Sequence, residues 1–241
     1  MYRIAAMLLV ALLGIQSTIV QAEARQITLR GAYVVFPPLT YTDRDGEPAG
    51  VILDLIDALV AELGYQISWQ EMPVRRIHQQ LQAGQIDIWP TTAGIPAIQS
   101  AVYETPFPAS PIRLSAFHLP GTAAISRPAD LVGSNLVLLH GYTYLGVLDD
   151  ILDNPGTVVS YSADHDAALQ MLLSGRGDYL IDFDIPLEHA LLSHPVETLS
   201  SSVLAEFPLT YAFSRKLDSV ETLISQLSRA YETYTAGAAA Q

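Results

Sequence analysis

The 241-residue sequence contains no cysteine. This absence excludes disulfide bonds, thiolate metal sites, a cysteine nucleophile and a lipid-anchored cysteine. Basic residues are also scarce, since 12 lysines and arginines stand against 25 aspartates and glutamates, and the formal net charge is −13. Nucleic acids and anionic membrane surfaces attract cationic proteins. We therefore expect no nucleic-acid partner and no direct membrane insertion.

Long apolar runs are missing too, with one exception near the N-terminus. Arg3 is followed by an apolar run over residues 4–15, a polar stretch and then Val20-Gln21-Ala22. This pattern is typical of a secretory signal peptide, and the run is shorter than the ~20 residues that a membrane span requires. We predict a signal peptide at residues 1–22 and a mature protein without a lipid anchor in a Gram-negative periplasm.

The mature sequence does contain a regular alternation of strand and helix patterns. Apolar residues recur at three- and four-residue steps after Val51 and Val74, and Gly64 and Gly84 suit the ends of two helices. This alternation favours the α/β class, with an open, mostly parallel sheet flanked by helices. In this part we predict strands at 27–35, 65–70 and 86–89 and helices at 51–63 and 74–83.

Three prolines within residues 106–111 interrupt the alternation, because each fixes its own backbone angle and restricts its neighbour. We interpret this stretch as a crossing between two lobes. Beyond it we predict strands at 114–117, 136–139, 158–161, 179–181 and 209–213, and helices beginning near Tyr144, at 167–173 and at 220–234.

Five blocks of residues follow one another in an order typical of a known family. They are 36–41 (Phe-Pro-Pro-Leu-Thr-Tyr) with Asp45, Gly46, Gly50 and Asp54, 73–77 leading to 81–87, 103–107, 131–133 with 140–143, and 168–169 with 172–178. In these blocks the chain resembles the family 3 extracellular solute-binding proteins of ABC importers. No single block is specific, and the similarity lies in their order along the whole mature chain.

The resemblance implies a two-lobed type II periplasmic-binding fold, with hinge strands near 106–114 and 202–209. Lobe one would comprise residues 23–108 plus 205–241, and lobe two residues 109–204. The implied function is capture of a small polar solute, amino-acid-like or another small charged metabolite, by hinge closure for ABC-type import. A membrane permease is the implied partner. We expect a monomer with neither cofactor nor metal.

Some ligand-binding residues are implied by position. Phe36 matches the family's aromatic residue that packs on the ligand, although an ordinary core role is an equal alternative. Thr91 and Thr92 match hydroxyl residues that donate hydrogen bonds to a ligand carboxylate, with local turn formation as the alternative.

Other candidates surround the helix predicted near Tyr144. Free amide hydrogens at a helix N-terminus favour anions, so the backbone of Gly141, Tyr142 and Thr143 is predicted to bind ligand oxygens. A simple N-cap role for Thr143 is the competing interpretation. Tyr142 and Trp89 are also candidate stacking surfaces for the ligand.

The sequence departs from the family at the arginine that grips a ligand α-carboxylate, because Ala97 or Gln99 occupies that place. Arg75 or Arg76 is a candidate replacement cation, and the alternative is that both face water. The ligand is therefore predicted not to be a standard α-amino acid held in the family's usual way.

A second departure concerns the aspartate that pairs with a ligand amino group, because its place is taken by Phe183. Asp182 and Asp184 flank it, and in a strand both would point to one face. We predict an acidic patch at the cleft that suits a cationic end of the ligand. The alternative is a pair of solvated loop carboxylates.

Two other functions compete with import. Family 3 proteins resemble the cyclohexadienyl dehydratases, and Asp182, Asp184 or His140 could serve as an acid or base. Against an enzyme, the chain lacks the common nucleophile, phosphate-loop and zinc motifs, and its six histidines are scattered and expected at the surface. The other rival is a sensor that presents its ligand-bound form to a membrane receptor.

Overall fold

The computed structural model describes residues 27–238, so the predicted signal peptide lies outside the described residues. Over that range, no helix is both long and apolar enough to span a bilayer. The elements in chain order are β1 (Ile27–Tyr33), β2 (Tyr41–Thr42), β3 (Pro48–Ala49), α1 (Val51–Glu62), β4 (Tyr65–Glu71), α2 (Val74–Ala83), β5 (Ile88–Thr92), β6 (Val102–His118), β7 (Asn135–Leu139), α3 (Asp149–Leu152), β8 (Val158–Ser162), α4 (His165–Leu173), β9 (Tyr179–Phe183), α5 (Asp184–Ser193), β10 (Ser200–Ser214) and α6 (Val220–Ala238).

Eight strands form one hydrogen-bonded sheet in the order β4-β1-β5-β10-β6-β9-β7-β8. In the first half, β1 pairs in parallel with β4 and β5, and β5 pairs antiparallel with the end of β10. In the second half, β7 pairs in parallel with β8 and β9, and β9 pairs antiparallel with the end of β6. The sheet therefore has two mostly parallel halves, as the strand–helix alternation predicts.

The strands β6 and β10 join the two halves as a long antiparallel ladder. Pro111 pairs with Pro208 and Pro108 with Thr210, and the register shifts on both sides of Thr210. The prolines are tolerated because β9 pairs only with residues 114–117 of β6, which leaves the proline-rich stretch at a sheet edge. The predicted crossing is thus part of a continuous strand, and the lobe boundaries near it stay a prediction.

The helices pack their apolar faces on the sheet. Helix α2 buries Ile77 and Leu81 and ends at Gly84, whose left-handed backbone (φ 72°) terminates the helix without a Cβ clash. Behind Trp89, these residues form an apolar cluster with Met72, Ile95 and others. A larger cluster includes Phe107, Tyr211 and Phe213. Strand β5 therefore packs against both clusters, through Ile88 in the larger one and Trp89 in the smaller one.

The helix predicted near Tyr144 is not present. Tyr144–Gly146 forms a 3₁₀ turn in which Tyr144 (φ 49°) and Leu145 (φ 54°) adopt left-handed angles, and α3 has four residues. The Tyr144 side chain is buried, and its hydroxyl accepts a hydrogen bond of 2.6 Å from the amide of Leu139. This tertiary contact holds the backbone in a turn, although the local sequence pattern predicts a helix there.

Helix α5 is an element that the sequence patterns do not predict. It buries Pro186, Leu187 and Ala190, while Leu192 in the same helix is exposed. Its apolar residues do not collect on one face, so no 3.6-residue periodicity marks it. The helix begins at Asp184, directly after β9 ends.

Candidate functional site

A cavity of about 440 Å³ lies between the two halves of the sheet. The loop after β1, helix α2 and strand β5 line it from the first half, and the loop after β7, the start of α4 and the end of β9 line it from the second. Seven predicted site residues contribute to the lining. They are Phe36, Trp89, Thr91, Thr92, Gly141, Tyr142 and Thr143. Their contact with a ligand stays a prediction.

An aromatic contact across the cavity brings the halves together. The Phe36 ring stacks on that of Tyr142 at 6.4 Å between centroids and lies edge-on to Phe183 at 5.2 Å and to His165 at 6.2 Å. Phe36 is only half-buried, and it both lines the cavity and packs against the core. The two proposed roles of this residue are therefore compatible.

A chain of hydrogen bonds runs through the same place. The Tyr142 hydroxyl donates to the carbonyl oxygen of Val35 at 2.9 Å and lies 3.1 Å from Nε2 of His165. Nδ1 of His165 lies 2.8 Å from Oδ2 of the fully buried Asp182. We call Val35, Tyr142, His165 and Asp182 the Tyr142 relay. It fixes second-half side chains to first-half backbone.

The Tyr142 relay contains both donor and acceptor groups. Burial raises the pKa of Tyr142, so its hydroxyl keeps its single proton, which it donates to the carbonyl of Val35. The tautomer of the imidazole decides whether Nε2 of His165 donates to the tyrosine oxygen or accepts from it. Burial raises the pKa of Asp182, and the hydrogen bond from His165 opposes that rise.

The predicted acidic patch does not form part of the lining of this cavity, and a role of Asp182 or Asp184 in ligand binding stays a prediction. Asp182 is turned into the protein, where it binds His165 and the amide of Phe183 at 2.7 Å. Asp184 accepts hydrogen bonds from Arg113 at 2.7 Å and from Ser115 at 2.6 Å. Neither lines the cavity, and Phe183 does instead. The reason is that β9 stops at Phe183, so Asp184 belongs to α5 rather than to the strand face that carries Asp182.

The predicted replacement cations lie elsewhere. Arg75 and Arg76 are exposed on α2 and do not line the cavity. Ala97 and Gln99, in the turn after β5, are also exposed and do not line it. Over residues 27–238, no lysine or arginine contributes to the lining. The departure from the family at the carboxylate-gripping arginine is therefore not compensated from another position in this structure.

The predicted anion site at residues 141–143 lacks the helix on which it depended. A 3₁₀ turn of three residues follows Thr143, and the Thr143 side chain makes no capping hydrogen bond there. A helix dipole of useful length is therefore absent at this position. The lining contribution of Gly141, Tyr142 and Thr143 remains, without the electrostatic reason first given for it.

The expectation that the histidines lie at the surface is wrong for three of them. His118 and His165 are buried, and His78 is half-buried with its ring 5.4 Å from that of Trp89. His78 and His165 both line the cavity. A signal for His78 was present in the sequence, because it falls four residues after Val74 and thus on the apolar face of α2.

The lining of the cavity is mostly apolar, with a few free polar groups. The hydroxyls of Thr91 and Thr92 have no hydrogen-bond partner in the part of the chain that the structure describes. Two carboxylates, Glu71 and Asp164, lie at exposed positions of the lining. Among the described residues, no three histidine, aspartate or glutamate side chains converge as metal ligands. The arrangement suits binding of a small molecule by shape and by a few hydrogen bonds.

Comparisons with known proteins agree with this geometry. Residues 30–103 match the model of the bacterial extracellular solute-binding proteins, family 3. The arginine-binding protein ArgT of Corynebacterium glutamicum is 37% identical over 75 residues, which are 31% of this chain and 25% of that protein's length. The chain therefore spans about a quarter of the curated relative that it matches.

Solved structures extend the likeness to most of the chain. An ancestral arginine-binding protein bound to arginine superposes with a TM-score of 0.68 and 22% identity over 86% of this chain and 92% of its own. A histidine kinase sensor domain similar to periplasmic binding proteins superposes with a TM-score of 0.71 and 19% identity, over 89% of this chain and 93% of its own. The GluR0 ligand-binding core in complex with L-glutamate superposes with a TM-score of 0.71 and 14% identity, over 88% of this chain and 96% of its own. The predicted resemblance to family 3 and the predicted two-lobed α/β fold are confirmed.

Proposed function

We propose that this chain, which matches the family 3 solute-binding proteins over residues 30–103, captures a small polar solute and closes its two halves around it. The observation that carries the proposal is the cavity of about 440 Å³ whose walls come from both halves. Its size suits a small metabolite. A solute that touches both walls binds the closed form better than the open one, and this difference in affinity drives closure.

The ladder of β6 and β10 is the proposed hinge. The register shifts in this ladder interrupt regular pairing where the chain passes between the halves, and such places absorb changes in backbone angles. The Tyr142 relay would then form on closure, because it joins Tyr142 of the second half to Val35 of the first.

We propose a periplasmic location and a membrane permease of an ABC importer as the partner of the closed form, with a sensor receptor as the alternative. The location rests on the signal-peptide pattern at residues 1–22, and the partner rests on the family match. N-terminal sequencing of the protein from a periplasmic extract tests the location. A start at Glu23 is expected, and an intact Met1 would contradict it.

We also propose that the protein binds its solute without catalysing a reaction. Of the acids suggested for a dehydratase-like role, Asp182 is buried against His165 and Asp184 is held by Arg113 and Ser115. Nε2 of His165, the free end of a histidine–carboxylate pair in many enzymes, meets the Tyr142 hydroxyl instead. Incubation with prephenate or arogenate tests this proposal, and product formation would contradict it.

Hinge closure can be measured directly because the chain has no cysteine of its own. Fluorescent dyes attached to Val51→Cys and Leu192→Cys, both exposed, place one dye on each half. Solutes that raise the melting temperature in a metabolite screen are then expected to shorten the dye-to-dye distance. The matched control, Val158→Cys with Leu192→Cys, has both dyes on the second half and should not respond. Stabilising solutes that leave the first pair unchanged would contradict hinge closure.

A further inference from the structure

The inner part of the cavity contains two ring nitrogens without partners. Nε2 of His78 and Nε1 of Trp89 are buried, and neither has a hydrogen-bond partner among the described residues. The two rings lie 5.4 Å apart between centroids, and both residues line the cavity. A ligand in the cavity is therefore in a position to supply the missing partners.

The other tryptophan, Trp69, does not line the cavity, and its indole N–H has a hydrogen-bond partner. Nε1 of Trp69 lies 3.1 Å from each carboxylate oxygen of Asp57, to which it donates. An indole N–H that is buried without an acceptor costs free energy, so buried donors are normally paired. Trp89 is 4% exposed and departs from that rule in the lining of the cavity, where a ligand can reach it.

His78 complements the indole N–H donor because a neutral imidazole can also accept a hydrogen bond. Burial lowers the pKa of His78, so the imidazole is neutral near pH 7. A neutral imidazole has one N–H donor and one acceptor nitrogen, whereas indole is a donor only. In the tautomer protonated on Nδ1, Nε2 of His78 is the acceptor, and the pair then suits a ligand group that accepts a hydrogen bond from Trp89 and donates one to His78.

The charges of the lining disfavour a ligand carboxylate. Glu71 and Asp164 are the carboxylates of the described lining, and no lysine or arginine lies beside them there. Glu71 accepts a hydrogen bond from Thr42, and Asp164 accepts one from the amide of Ala167 at 2.7 Å. A carboxylate brought into this cavity would lose hydration without gaining a lysine or arginine partner, in a protein with a net charge of −13.

The surroundings of the two nitrogens suit a flat apolar body. Met72 and Ile95 are buried beside Trp89, and the partly buried Val74 and Leu145 pack against the same cluster and line the cavity. Aromatic rings pack well against such walls and against the indole face.

We propose that the solute is an uncharged ring compound bearing a carboxamide or lactam group, whose carbonyl accepts from Nε1 of Trp89 and whose N–H donates to Nε2 of His78. This inference rests on the proposed function, since it assigns the solute class to the same cleft. It makes His78 and Trp89 the residues that select an amide over a carboxylate.

Fluorescence tests the solute class. The Trp69→Phe variant keeps Trp89 as its only indole, so its emission reports on the cavity. Nicotinamide and benzamide are the probes, and nicotinate and benzoate are their matched carboxylates. For fragments of this size we expect a Kd of about 1 mM or tighter for the amides and binding at least about tenfold weaker for the acids. Acids that bind as tightly as the amides, or amides that do not bind at about 10 mM, would overturn the proposal.

Two variants separate the polar contacts from the shape of the cavity. Trp89→Phe keeps an aromatic ring but removes the donor, and His78→Phe removes the neutral acceptor. Each is expected to weaken nicotinamide binding about fivefold or more in calorimetry, while Trp69→Phe leaves it unchanged. Unchanged affinity in both cavity variants, with their folds intact by circular dichroism, would overturn the assigned contacts.

Amino-acid controls distinguish a failure of this inference from a failure of the proposed function. If L-arginine or L-glutamine shortens the interlobe dye distance and the amides do not, the protein binds solutes but the assigned class is wrong. If neither the amides, the amino acids nor any member of the metabolite screen changes the dye distance or the Trp89 emission, both proposals are wrong.

Discussion

The two walls of the cavity differ in how their polar groups are satisfied. On the second-half wall, Tyr142 and His165 are held in the relay that ends at the buried Asp182. On the first-half wall, ring nitrogens of His78 and Trp89 have no partner among the described residues. This difference indicates separate roles for the two walls. Side chains that hydrogen-bond within the protein can hold the closed shape, whereas ring nitrogens without a hydrogen-bond partner are available to a ligand.

The largest effect should come from breaking the second-half wall at its buried end. Asp182→Ala removes the carboxylate that lies 2.8 Å from Nδ1 of His165, in a position where both side chains are almost inaccessible to water. Removing one partner of a buried pair destabilises proteins by about 3–5 kcal/mol. We expect a loss of that size in the free energy of unfolding, measured by urea denaturation at pH 7.

The matched control for Asp182→Ala is Asp166→Ala, which removes the carboxylate of the exposed pair with His194. Exposed pairs are screened by water, so this variant should change stability little. Equal losses for the two variants would mean that the relay is no more important to the fold than a surface contact.

A smaller effect is expected at the other end of the relay. Tyr142→Phe keeps the ring that stacks on Phe36 but removes the hydroxyl that joins the Val35 carbonyl to His165. We expect a loss of about 1–2 kcal/mol in the free energy of unfolding, because Nε2 of the buried His165 loses its partner, whereas the carbonyl of the exposed Val35 can bind water instead. Tyr161→Phe, at an exposed ring, is the control and should leave the urea midpoint unchanged.

Tyr142→Phe also tests whether the relay stabilises the closed form. In the dye-labelled protein, the variant should show a longer mean distance between the halves before solute is added. A distance equal to that of the parent protein would separate the relay from closure and restrict its role to the second half.

The sequence predicts the regular parts of this fold because their signals are local. Helix α2 is predicted at its observed bounds, since Val74, Ile77 and Leu81 share one face and Gly84 ends it. The same reasoning places β8 and β7 within a residue of their observed bounds. Periodicity and end residues are sufficient wherever tertiary contacts agree with them.

The missed parts depend on contacts that no local pattern contains. The turn at Tyr144 is fixed by a hydrogen bond between its hydroxyl and the amide of Leu139, and α5 has apolar residues around its circumference. At the site, Phe183 replaced the expected acidic patch because the strand ends one residue before Asp184. A shift of one residue decides which side chains reach a cleft, and strand ends are where sequence patterns are least informative.

The smallest effect concerns the first-half wall and appears only as a pH dependence. Because burial lowers the pKa of His78, the unfolded chain takes up this proton at a higher pH than the folded one. Protonation of His78 therefore costs no stability above the ordinary histidine pKa of about 6.5. The loss of stability grows as the pH falls from there towards the lowered folded pKa, and it levels off below that value. His78→Gln, which does not titrate, should reduce the fall in the free energy of unfolding between about pH 7.5 and pH 5.5, measured by urea denaturation. His189→Gln, on the exposed side of α5, should retain the full fall. If His78→Gln keeps it as well, the first-half wall is open to water and the imidazole is not held neutral there.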